Sequence, residues 1–150
     1  MNIYLEQLST LITQNKYFSL YCSIINKALS REFTSRKRAK DQLGYVEWHH
    51  ILPNSMGGPK TNDNMTYLTG REHFIVHVLL PKFTSGDAKR KMICALYGMQ
   101  RKTKNQIDRY INARLYESNR LKFCKIAAEM QTGKTGMKRS PETCGELLLT

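Results

Sequence analysis

A chain of 150 residues, 41% of them hydrophobic, has the material for one domain with a real core and a small appendage. Its 24 Lys and Arg against 12 Asp and Glu leave a net charge of +12 and a pI near 9.7, an excess that points to a polyanionic partner. The longest apolar run, residues 74–80, is broken by His77 and is too short to span a bilayer, which sets a membrane role aside.

The N-terminus, "MNIYLEQLSTLI", carries Glu6 and no basic stretch, so it does not read as a secretory signal, and a cytoplasmic location is expected. Tyr4, Leu8, Leu11 and Ile12 suggest a weak first helix. From Lys16, Tyr17, Leu20, Tyr21, Ile24, Ile25 and Ala28 fall at helical spacing and predict an amphipathic helix. "REFTSRKRAKDQLG" follows, with Arg31, Arg36, Lys37, Arg38 and Lys40, and reads either as a solvated connector or as a phosphate-contacting arm that turns at Gly44. "YVEWHHI" has the aromatic and β-branched content of a strand, "NSMGGPKTND" the glycines and proline of a loop, and "NMTYLT" the pattern of a second strand. "GREHFIVHVLL" returns to helical periodicity, which Pro81 should end or kink. Tyr67, Leu68, Phe74 and Leu80 are most simply core. Beyond Pro81, "DAKRKMICALYGMQ" places Met92, Ile93, Leu96 and Tyr97 on one helical face. A long helix is expected over 104–130, with Ile107, Ile111 and Leu115 spaced by four, and then a loop-like tail. Most of the excess positive charge lies beyond residue 83. Cys22, Cys94, Cys124 and Cys144 form no C-x-x-C pair and read as reduced thiols.

All 4 histidines lie between His49 and His77. Neighbours on a regular strand point to opposite faces, so His49 and His50 share a site only where the strand ends or bends. His73 and His77, at i and i+4, share one helix face. If that helix packs back across the strands, all four converge. Imidazole is both a common metal ligand and a natural general base, and under a basic surface that pairing suggests metal-assisted attack on a phosphodiester. A buried, hydrogen-bonded His77 in an ordinary core is the plainer alternative; a structural zinc site would favour cysteines at tighter spacing.

Tyr45, Glu47, His49, His50, Ile51, Pro53, Gly57, Gly58, Asn64, Leu68, Thr69, Arg71, Glu72, His73, Phe74 and His77 together resemble the HNH, or ββα-metal, nuclease motif. The likeness is greatest to the phage-borne homing and mobile endonucleases, and it covers residues 16–83. Met65, where leucine is usual, and Pro81, where many relatives continue the helix, depart from the pattern. The resemblance implies an α+β fold, mainly helical, around a ββα-metal core with a two-stranded antiparallel ribbon. It implies a DNA endonuclease that leaves 5′-phosphate and 3′-hydroxyl ends, with nicking the expected outcome for one site per chain; a catalytically silent nucleic-acid-binding module of the same fold is the alternative. His50 would be the general base. His49 and His73 would hold one divalent metal ion (Mg²⁺, Mn²⁺, Ni²⁺ or Zn²⁺), with His77 completing that shell or holding the scissile phosphate, and Asn64 would brace the loop that orients the base. Double-stranded DNA would be the partner. Its expected contacts are Arg36, Lys37 and Arg38, then Arg71, then Lys89, Arg90 and Lys91, and finally Arg120, Lys122 and Lys125. The organisation expected is N-terminal helices and connector over 1–44, the nuclease core over 45–83, a basic helical extension over 84–131 and a flexible tail over 132–150.

Overall fold

The computed structural model describes residues 2–100 and 113–131; the expected tail over 132–150 and the first part of the helix expected over 104–130 lie outside them. Among the described residues six helices, α1 (Ile3–Thr10), α2 (Lys16–Leu29), α3 (Arg36–Leu43), α4 (Gly70–Phe83), α5 (Gly86–Gln100) and α6 (Ala113–Gln131), accompany two strands, β1 (Val46–His50) and β2 (Met65–Thr69). The strands pair antiparallel from Val46↔Thr69 to His50↔Met65, and the loop between them holds two short 3-10 turns. The expected α+β architecture, mostly helical around a ββα unit, is what the chain adopts.

Local chemistry sets the boundaries. Asn15 caps α2 by accepting from the N–H groups of Tyr17 and Phe18 at 2.9 and 3.2 Å, satisfying donors that the first turn leaves unpaired. α2 buries Phe18, Tyr21, Ile25 and Ala28, one stripe at helical spacing, while Leu20 stays half exposed and lies off that stripe. α2 packs against α4, which contributes Val76, Leu79, Leu80 and Phe83 to the same core. Phe83 meets the rings of Phe18 and Tyr21 edge-on, each at 5.4 Å between centroids. Removing side chains of this size from water contributes roughly 1.5–3 kcal/mol each.

Three local expectations change. The basic stretch after α2 is not all connector: Ser35 accepts from the N–H of Arg38, Ala39 is fully buried, and Gly44 closes α3 with φ of 75°. Pro81 does not stop α4, which runs two residues further to Phe83. A proline in the last turn forfeits a single hydrogen bond, and the buried Phe83 ring holds that turn against α2. Tyr67 is not core. The strand period turns its neighbour Leu68 inward to full burial and Tyr67 to the opposite face, where it stacks on Trp48.

The chain divides into two compact units, the break falling within α5 after Met92. In the second, Tyr97 and Phe123 stack at 4.1 Å, and Arg120 lies over the Tyr97 ring and donates to its hydroxyl. Cys22 and Cys94 are free thiols. No helix among the described residues is long and apolar enough to cross a membrane.

Candidate metal centre

In β1 the alternation of side chains sends Glu47 and His49 to the face covered by α4, and Trp48 and His50 to the other. His73 and His77 stand one turn apart on α4. The rings of His49, His73 and His77 meet pairwise at 5.1, 5.3 and 4.8 Å between centroids, all nearly perpendicular. One nitrogen from each lies within 4.8 Å of the others, so the three form a group that could hold a metal ion. His49 is only 3% exposed, and burial, followed by the neighbouring imidazoles, drives its pKa well below the ordinary histidine value. A neutral imidazole with an available lone pair is the form a metal requires.

Two tyrosines and a carboxylate fix which nitrogens face the centre. The Tyr21 hydroxyl donates its one proton to the Ile51 carbonyl at 2.8 Å, and burial pushes its pKa up, so that proton stays. The same oxygen lies 3.0 Å from His49 Nε2, so it accepts from Nε2–H and leaves Nδ1 for the centre. Glu47 Oε2 sits 2.5 Å from His73 Nδ1 and accepts its proton, which directs Nε2 inward. Tyr45 donates to the other oxygen of Glu47 at 2.6 Å. Carboxylate and phenol partners of this kind orient metal-binding imidazoles and raise their basicity. A set of three imidazole nitrogens, two of them oriented by a second group, fits a divalent transition ion.

His50 ends β1 on the outer face, partly buried, so three of the four histidines converge and His50 stands apart from their rings. Burial, then the positive charge of Lys60, lowers its pKa, so its ring is neutral and able to take a proton near pH 7. The backbone just beyond it is locked by Asn64, which is fully buried. The Asn64 carbonyl accepts from the Ile51 N–H at 2.9 Å; its side-chain oxygen accepts from the Leu52 N–H at 2.9 Å; its amide donates to the carbonyls of Leu52 and Pro59 at 3.0 and 2.8 Å. Every polar group of that side chain is used. Gly58 belongs to the same lock, because a Cβ there would lie 1.9 Å from the Leu52 carbonyl oxygen.

The basic residues singled out from the sequence are not brought into this cluster. Arg36, Lys37 and Arg38 are exposed on α3, and Arg71 is exposed at the start of α4. Lys89, Arg90 and Lys91 begin α5, where Lys91 pairs with Asp87 at 2.7 Å. Arg120, Lys122 and Lys125 lie on α6 in the other unit. Sequence reasoning gave no role to Tyr21, Tyr45, Glu47 or Lys60. Glu47, two residues before His49 on one strand face, carried a signal; Tyr21, 28 positions away, carried none. Arg31, placed with the basic arm, instead grips Glu72 through both guanidinium nitrogens.

Comparison with known proteins adds relatives over part of the chain. It is 41% identical over 66 residues to the "Probable mobile endonuclease E" of Enterobacteria phage T4, covering 44% of this chain and 41% of that protein. Over 67 residues it is 43% identical to the phage's "Probable mobile endonuclease D", 44% of this chain and 24% of that one. Over 104 residues it is 35% identical to "Probable mobile endonuclease C", 69% of this chain and 47% of the relative. The chain thus spans less than half the length of each. No protein-family model matches it, and no solved structure does.

Proposed function

We propose that the protein is a divalent-metal-dependent DNA endonuclease of the HNH type, nicking one strand per event to leave a 5′-phosphate and a 3′-hydroxyl. The convergence of His49, His73 and His77, with a neutral His50 next to His49 at the end of the same strand, carries this reading, and the partial likeness to phage proteins named as probable mobile endonucleases supports it. His49 would bind through Nδ1 and His73 through Nε2, with His77 as the third ligand. An ion held there supplies Lewis-acid stabilisation of the charge that builds on the phosphate and leaving oxygens. His50 takes a proton from the attacking water as its oxygen bonds to phosphorus and the bond to the 3′ oxygen breaks. Lys60, whose charge is felt at His50, attracts the phosphate and keeps the base unprotonated. Asn64 acts as a positioning residue, fixing the chain that follows His50. The basic helices beyond residue 83 serve as the grip on duplex DNA, and the net charge of +12 suits that partner. A binding module would need none of the three converging imidazoles.

Imidazole donors favour Ni²⁺, Zn²⁺ or Mn²⁺ over Mg²⁺ in binding strength. Supercoiled plasmid incubated with the purified protein and each ion in turn should yield nicked circles, and a chelator should stop the reaction. Intact plasmid across the whole metal series, with DNA binding retained, would leave only the binding module.

A further inference from the structure

A cavity that phosphodiester hydrolysis does not use lies where the ribbon, on the Trp48 and Tyr67 side, meets the end of α2 and the turn after it. It has a volume of about 340 Å³, room for one purine, and its lining includes Phe33, Trp48, Met65 and Tyr67 together with the polar Glu32, Thr34 and Asn62. α3 covers the same face of the ribbon at the Val46 end, where Val46 and Ala39 are fully buried. Trp48, in the middle, is left 49% exposed. Tyr67, its partner across the ribbon, stacks against it at 5.4 Å and 22°. A half-open indole braced by a second ring is a platform for another flat aromatic group.

Glu32 says which group. Among the described residues it is the one non-glycine with a left-handed backbone, φ of 49°. It follows the C-terminal end of α2, and its N–H bonds back to the Leu29 carbonyl at 3.0 Å, a position that glycine fills without strain. Glu32 lines the cavity, so its carboxylate is within reach of a group bound there. An ionised carboxylate only accepts hydrogen bonds, and it repels phosphate. Of the four DNA bases, guanine alone offers two adjacent donors, N1–H and N2–H, and it does so on the edge that base pairing would otherwise occupy.

We propose that this cavity binds an unstacked, unpaired guanine, its ring against Trp48 and its pairing edge on the Glu32 carboxylate. The proposal rests on the reading of the protein as acting on DNA. Trp48 and His50 are two residues apart on one face of β1, about 7 Å along the strand. A DNA strand whose phosphate reaches His50 can therefore lodge a nearby base in the cavity. Extruding a base from a duplex is costly, and least so for one that is already unpaired. The site thereby steers the protein to guanine at bulges, mismatches or single-stranded positions.

Trp48 is the chain's single tryptophan, so its emission reports on the cavity directly. The experiment titrates the protein, with a chelator and no added metal, against duplexes of one sequence carrying a bulged guanine, a bulged adenine, a bulged thymine or no bulge. The bulged guanine should quench Trp48 and bind roughly tenfold more tightly than the fully paired duplex. Glu32→Gln and Glu32→Gly should lose the preference for guanine over adenine and thymine, and Glu32→Gly, freed of strain, should melt no lower than wild type. Equal quenching by all four duplexes overturns the proposal, as does an unchanged guanine preference in folded Glu32→Gly. The readout involves no cleavage: plasmid left intact with quenching preserved would sink the endonuclease reading alone, and plasmid nicked without selective quenching would sink the cavity alone.

Discussion

At the scale of single residues, the proposed hydrolysis divides between His50 and the three inner imidazoles. His50→Ala should slow plasmid nicking by roughly 10²–10⁴-fold, the usual worth of a general base, while metal affinity, DNA affinity and melting temperature stay near wild type. A variant that still nicks at more than about a tenth of the wild-type rate would remove His50 from the role. Replacing His49, His73 or His77 by alanine should weaken Mn²⁺ or Ni²⁺ binding in a calorimetric titration. Glu47→Gln should weaken it by about 10–100-fold, because the carboxylate that holds the His73 ring is gone. Unchanged heats in the histidine variants would dissolve the assigned ligand set. The four histidines were legible in the sequence because they are few and crowded. The hydrogen bonds that select their nitrogens were not, since Tyr21 and His49 become neighbours only when α2 packs beneath the ribbon.

At the scale of elements, the start of α4 decides where His73 and His77 stand. Thr69 and Glu72 form a capping box, and Arg31 binds the same carboxylate from beyond α2. The Arg31 guanidinium, with help from the Thr69 backbone and hydroxyl, holds the Glu72 pKa at about 2, below its ordinary value of 4.5. A depressed carboxylate pKa gives stability that is fully present above the unfolded value and lost as pH falls through the folded one. Wild type and Glu72→Gln should therefore differ in melting temperature at pH 7, by the equivalent of roughly 1.5–3 kcal/mol, and converge between about pH 4.5 and pH 2. Curves that stay parallel to pH 2 would show that the carboxylate charge is not what secures α4. The capping box could be read from "TGRE", a local pattern. Its partner, 41 positions away, could not, and Arg31 looked like one more cation of a basic arm. α3 shows the converse: Gly44 was visible as punctuation, but only Ala39 on that polar helix is buried, too little apolar signal to mark it.

At the scale of the whole molecule, the positive charge is spread over both units, and composition alone predicted its amount but not its grouping. Reversing Lys89, Arg90 and Lys91 together, or Arg120, Lys122 and Lys125 together, should weaken DNA binding and flatten the plot of log K against log salt by about 0.9 for each phosphate that is no longer neutralised. Hydrolysis of a small activated phosphodiester should be unaffected, since it uses only the imidazoles and the ion. A fall in that small-substrate rate parallel to the fall in DNA affinity would show that grip and cutting centre are not separable. Lys91 gives the smallest share, being already paired with Asp87.

The closure at Asn64 makes the excursion between the strands a place where chain length is free to drift. Its neck is tied at Ile51, Leu52 and Pro59, and its tip, around Asn54 and Ser55, is exposed. Doubling the length of a closed loop costs only about 0.6 kcal/mol, so additions at the tip are cheap while the knot holds. A four-residue Gly-Ser spacer spliced between Asn54 and Ser55 should leave Mn²⁺ affinity and melting temperature almost untouched. The same spacer between Ile51 and Leu52 should unseat both. If the two insertions prove equally damaging, the tip is bound into the body of the protein. If only the second is, the outer turn is a ready socket for grafted peptides.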